Sequence, residues 1–169
     1  MKTILRTAVA SVAIASLGYA SVASAATGTA DVDAVILDAL AVDANGTTLD
    51  FGTIAESGSG GTLQLETDGN AICGSGLVCG GVSSVPTFTI TGENNAAVTV
   101  SFPAASVTLA NTVTPLDTMT VSGLVASATA ITLDGTGSGD FTVGATLNVG
   151  AAQATGTYEG ELDVAVVYN

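Results

Sequence analysis

The sequence predicts an all-β fold, an antiparallel sandwich of about ten short strands. Three observations carry that prediction. Apolar residues recur at every second position along most of the chain, the period of a strand with one buried face. The alternating runs are short, and Gly, Asn, Asp and Ser separate them, as turns require. After residue 25 no stretch sustains a helical period. Leu37 and Ala41 have helical spacing in VILDALAVD, but the even-numbered alternation fits that segment better.

Residues 1–25 read as an address, not as part of the fold. Lys2 and Arg6 precede a mostly apolar run that ends in Ala23-Ser24-Ala25. That is the pattern of a secretory signal with an A-x-A cleavage site. Ser11, Ser16, Gly18 and Ser21 interrupt the run, which is short for a span of about 20 strongly apolar residues. No Cys follows the cleavage site, so no lipid anchor is expected. The exported chain is then residues 26–169, one β-sandwich domain without a membrane anchor, secreted or displayed at the cell surface.

The strands follow in order. Ala30, Val32, Ala34, Ile36, Leu40 and Val42 alternate, with Asp38 as the exception. Leu49 and Phe51 come next, then Leu63 and Leu65, then Phe88 and Ile90. Val98, Val100 and Phe102 form a run, followed by Val107 and Leu109, Met119 and Val121, and Ile131 and Leu133. Phe141, Val143, Ala145, Leu147 and Val149 make a longer one. The last run, GTYEGELDVAVVYN, is the most regular: Gly156, Tyr158, Gly160, Leu162, Val164, Val166 and Tyr168 share one face. Thr fills many of the outward positions, as a half-exposed pleated surface favours. Ser57–Thr62 and Gly135–Gly139 read as glycine-rich loops.

Cys73 and Cys79 enclose CGSGLVC. Export implies an oxidising compartment, so a disulfide closing a glycine-rich loop is expected; a metal or redox pair would need His or further thiols. Asp134–Asp140 alternates oxygen-bearing side chains with glycines, yet it fits no calcium loop, and a hairpin loop is expected. Asn45-Gly46-Thr47 meets the glycosylation pattern but reads as an Asn-Gly turn.

Charge excludes several classes of function. The chain has 15 acidic and 2 basic residues and no His. The basic pair is Lys2 and Arg6, so residues 26–169 carry no side-chain cation. Nothing there neutralises phosphate, and nucleic-acid binding is excluded. No Ser–His or Cys–His dyad and no activating Lys can be assembled. No carboxylate pair stands in a catalytic context. The chain is therefore expected not to be an enzyme and to need no cofactor or metal. With no cation to pair them, the carboxylates repel one another, so stability is expected to hold or rise as pH falls from 7 toward about 4.

Four blocks carry a resemblance. They are Leu49–Ile54, Phe88–Glu93, Gly144–Tyr158 and the terminal run to Asn169. In this order they resemble the bacterial pilin-like family known as domain of unknown function 4402, and are similar to spore-coat-U-type subunits of archaic chaperone–usher pili. The resemblance implies an immunoglobulin-like, pilin-like sandwich. Chaperone–usher pilins carry a penultimate Tyr and a Gly fourteenth from the end, the places of Tyr168 and Gly156 here. It also implies that the terminal strand, with Tyr158, Leu162, Val164 and Val166, edges a groove that accepts a strand from another subunit. The donor would be the arm Ala26–Val42, with Val32, Ala34 and Ile36 entering the groove. The partners implied are other copies of the chain, a periplasmic chaperone and an usher. One departure is clear: those pilins tie their first core strand to the sheet by a disulfide, whereas Cys73 and Cys79 are local.

Two functions follow as expectations. One is a structural subunit of an extracellular fibre built by strand addition, whose assembly serves adhesion or biofilm. The other is a monomeric secreted or surface binding module for a cation or a carbohydrate, whose first strand completes its own sheet. The fate of Ala26–Val42 separates them.

Overall fold

The computed structural model describes residues 26–169, so the signal segment 1–25 lies outside the described residues. Contacts divide the chain into Met1–Val35 and Ile36–Asn169. Of the first unit, residues 26–35 are described: they form no strand, and all are exposed. Every strand lies in the second unit.

That unit is all-β, without a helix among the described residues. Its thirteen strands are β1 (Ala41–Asp43), β2 (Thr53–Glu56), β3 (Gly61–Leu65), β4 (Ala71–Cys73), β5 (Leu77–Gly80), β6 (Thr87–Thr91) and β7 (Ala97–Ser101), then β8 (Ser106–Asn111), β9 (Thr118–Ala126), β10 (Ala130–Thr132), β11 (Ser138–Val149), β12 (Tyr158–Glu159) and β13 (Ala165–Tyr168). All pairings are antiparallel, in three curled sheets consistent with a sandwich. The large sheet runs β1-β6-β11-β9-β8-β12, with β3 and β4 branching from β11; β10-β7-β13 and β2-β5 are the smaller sheets.

β11 is long enough to serve two layers. Its first half pairs with β6, its second half with β3, and its other edge with β9 across a bulge between Gly144 and Thr146. The core divides along it. Phe141 and Val143 join Phe88, Ile90, Val98, Val100 and Leu133 in one cluster, where the Phe88 and Phe141 rings stack at 5.2 Å. Ala145, Leu147 and Val149 join Phe51, Leu63, Leu65 and Val121 in the other. These are the alternating residues of the sequence, so period two identified the core face correctly.

Three expectations need correction. Ala30–Leu40 is not a strand despite its alternation; only Ala41–Asp43 pairs, with β6. Alternation permits a ladder but supplies no partner. The terminal run is not one strand either. Tyr158-Glu159 pairs with β8 in the large sheet and Ala165–Tyr168 pairs with β7 in another. A segment that changes sheets must leave one ladder before it enters the next. CGSGLVC is not loop throughout: Cys73 ends β4 on β3 and Cys79 sits in β5 on β2, with a turn between these strands of different sheets. The expected disulfide joins them, with Cα atoms 6.0 Å apart.

Candidate functional site

An open groove of about 1140 Å³ runs along the second cluster. One wall is Thr47–Glu56, ending in β2; the other is Gln153–Gly160, containing β12. The floor is the inner face of β8, β9 and β11, where Val107, Leu109 and Met119 are only half-buried beside the buried Val121, Leu147 and Val149. Sandwich interiors are normally filled at crystal-like density. Here Val107, Leu109 and Met119 keep part of their surface open to the groove.

Both walls present backbone. β2 pairs with β5 alone, and β12 pairs with β8 alone. Their second edges have no partner strand among the described residues. β13 is likewise an edge, paired with β7 alone. Unpaired edges are templates for an added strand.

The sequence builds the second wall with buried polar contacts. Asn111, 2% exposed, is held at the end of β8. Its amide nitrogen donates to the Thr155 carbonyl at 3.3 Å, and its side-chain oxygen accepts the backbone N–H of Val113 at 2.9 Å and Thr114 at 3.2 Å. The Asn111 side chain occupies the space where a Cβ on Gly156 would stand. Only glycine fits position 156, midway along the wall. The Tyr158 hydroxyl donates to the Ala154 carbonyl at 2.7 Å and accepts from Gln153 at 2.8 Å, closing the loop before β12.

The profile of a protein family, domain of unknown function (DUF4402), matches residues 40–168. The chain belongs to the DUF4402 family. No curated protein matches it significantly. The stretch matched by the DUF4402 profile begins one residue before β1 and covers every strand up to Tyr168, so it takes in the groove and both walls.

Within this DUF4402 domain the predicted site residues separate into groups. Gly156, Tyr158 and Leu162 line the groove. Leu162, Val164, Val166 and Tyr168 pack on the first cluster, and Glu159, Glu161, Asp163 and Val167 are exposed, Glu159 on the groove side. Of the donor residues, Val32 and Ile36 are each 93% exposed and Ala34 is exposed too. The end of the arm is already committed: Ala41 and Val42 lie in β1, Leu40 packs on the first cluster, and the Asp38 N–H donates to the Glu93 carboxylate at 3.2 Å. Residues 26–37 remain outside any ladder.

Other predicted features resolve locally. Asn45 and Gly46 both have positive φ, 53° and 69°, and the Thr47 N–H reaches the Ala44 carbonyl at 2.9 Å, an Asn-Gly turn. Asp134 accepts from Thr136 N–H at 2.8 Å, Thr136 Oγ1 at 2.7 Å and Ser138 N–H at 2.9 Å. These bonds close the β10–β11 loop and hold its carboxyl below the usual aspartate range, the Ser138 N–H contributing most. The sequence marked Leu49–Ile54 of the first wall only as part of the family resemblance, and it did not single out the floor as a site or Asn111 at all. Leu109 and Met119 read as ordinary inward strand residues, and no local signal says that they stay half-buried.

Proposed function

We propose that this chain is a non-catalytic subunit of an extracellular fibre, exported through its N-terminal signal and assembled by strand addition between copies. The observation that carries the reading is the groove, with an apolar floor and two wall strands that each keep an unpaired edge. The occupant is residues 26–37 of another copy. That segment is about as long as each wall, it forms no strand of its own, and it exposes Val32, Val35 and Ile36. Extended, twelve residues reach about 40 Å, enough to lie along a wall.

Backbone pairing would supply affinity, and alternate side chains would supply register. With Val32, Ala34 and Ile36 turned to the floor, Asp31 and Asp33 point out. A slip of one residue would bury both carboxylates, so the register is firm. Each subunit gives an arm and accepts one, a head-to-tail contact that does not close on itself and therefore extends. The similarity to chaperone–usher pilins adds a periplasmic chaperone and an usher as assembly partners, and adhesion or biofilm as the fibre's role.

The test is electron microscopy of residues 26–169 beside a form lacking 26–36, before and after refolding at high concentration. Filaments or ladders from the first and none from the second support the reading. Monomers from both, persisting after refolding, would replace it with a monomeric binding module.

A further inference from the structure

The groove and its proposed occupant carry charge of one sign. Asp50 and Glu56 line the first wall, and Glu159 lines the second. The floor residues contributed by β8, β9 and β11 are apolar, and no Lys, Arg or His occurs anywhere from residue 26 onward. The arm brings Asp31 and Asp33, both exposed. When Val32, Ala34 and Ile36 face the floor, these two carboxylates stand at the mouth of the groove, between the acidic walls. Behind them, each approaching copy adds the other thirteen of its fifteen acidic side chains and no side-chain cation from this part of the chain.

We infer that arm docking is gated by ionic strength through repulsion between Asp31 and Asp33 of the arm and Asp50, Glu56 and Glu159 of the groove walls. The inference rests on the strand-addition reading above. At 0.01 M salt the screening length is about 30 Å, and the wall charges act on the arm with little screening. Near 0.3 M it falls below about 10 Å, and the apolar contacts decide the outcome. Like charges set across an interface slow encounter and disfavour the complex. Such a gate keeps dilute, low-salt protein monomeric without any change in the docking surfaces.

The experiment uses a fluorescein-labelled peptide of residues 26–37. The acceptor is the 26–169 chain carrying Val32→Ser and Ile36→Ser, so that its own arm does not compete. Anisotropy titrations run in sodium chloride from 0.01 to 0.3 M. The expected result is an affinity that rises roughly tenfold across that range. A peptide with Asp31→Asn and Asp33→Asn should bind at 0.01 M about as tightly as the parent does at 0.3 M. An acceptor with Asp50→Asn, Glu56→Gln and Glu159→Gln should do the same. Binding that does not vary with salt would overturn the gate and leave strand addition standing. Tightening that persists in both neutral variants would also overturn it, because general salting-out would then be the cause. No binding at any salt concentration would overturn strand addition itself.

Discussion

The Tyr168 hydroxyl donates to the Asp38 carbonyl at 2.9 Å across 130 residues of sequence. The same oxygen accepts the Glu93 N–H at 2.6 Å, and Glu93 in turn holds the Asp38 N–H through its carboxylate. The three residues form a ring that ties the end of the last strand to the turn after β6 and to the point where the N-terminal segment joins the domain. The penultimate tyrosine therefore has a role within its own subunit. It fixes the boundary between the free segment and the fold.

Tyr168→Phe removes both hydroxyl contacts and leaves the Glu93 N–H without its acceptor. A net hydrogen bond contributes about 1 kcal/mol, so the expected loss is about 1–2 kcal/mol, a few degrees in Tm for a domain of this size. Hydrogen exchange checks the mechanism: protection at Glu93 should fall while that of β3 and β9 stays unchanged. Uniform loss across all strands would contradict a local clasp.

Gly156→Ala places a methyl group against the buried Asn111 side chain. Overpacking of this kind costs about 1–3 kcal/mol. Asn111→Ala alone is also destabilising, because it strands the Val113 and Thr114 N–H groups and the Thr155 carbonyl. The two changes should not add. Once Asn111 is gone the methyl has room, so the double variant should be more stable than the sum of the singles implies. Urea unfolding of the four proteins measures the coupling, and simple additivity would refute the contact.

Replacing Cys73 and Cys79 with Ser should cost about 2 kcal/mol in the chain-entropy account of so short a loop. The place of the loss matters more than its size. β2 has β5 as its only partner strand, and the disulfide fastens β5 to β4. Loosening should therefore concentrate in the first groove wall, as faster exchange at Ile54–Glu56. Retained protection there with a lower urea midpoint would mean that β5 is held by its turn instead.

The pH response of Asp134 has a definite sign. Its folded pKa lies below the usual aspartate range because Ser138 and Thr136 donate to the carboxylate. A depressed pKa contributes stability that is complete above the unfolded value and is lost as pH falls through the folded one. Asp134→Ala should therefore destabilise equally from pH 7 to about 5, with its effect shrinking below about pH 4. Thermal melts of both proteins across that range test this. An effect that grows in acid would reverse the assignment. The contribution is undiminished between pH 7 and 5, where the sequence predicts that overall stability holds or rises, so the two expectations do not conflict.

How far the sequence was legible depended on whether a residue's partner was local. Leu63 and Leu65, Phe88 and Ile90, and the long run from Phe141 to Val149 declared their buried face by alternation alone. β4 and β5 were hidden because Ile72 and Val78, their most apolar residues, are exposed and four glycines dilute the segment. Residues 30–40 alternate just as well but have no ladder to join. The groove was invisible residue by residue, since its lining comes from segments far apart in the sequence. Of the two terminal positions that the sequence marks, Gly156 lines the groove and Tyr168 packs on the other cluster. The structure gives each a physical cause in Asn111 and in the Asp38–Glu93 pair.

Val32 and Ile36 supply the sharpest separation between fold and assembly. Both are 93% exposed in their own chain, so the Val32→Ser, Ile36→Ser variant should melt within about 0.5 kcal/mol of the parent. If another copy's groove buries them, each contributes roughly 1.5–3 kcal/mol to the contact, and losing both lowers affinity by at least a hundredfold. Sedimentation velocity at high salt should then find the parent polymeric and the variant monomeric at equal stability. Thr27→Ser and Thr29→Ser, polar changes in the same segment, should leave polymerisation intact. A variant that still polymerises would show that residues 26–37 are not the strand the groove receives. A variant that loses stability along with assembly would show that the segment packs on its own chain, and the case for exchange between copies would fail with it.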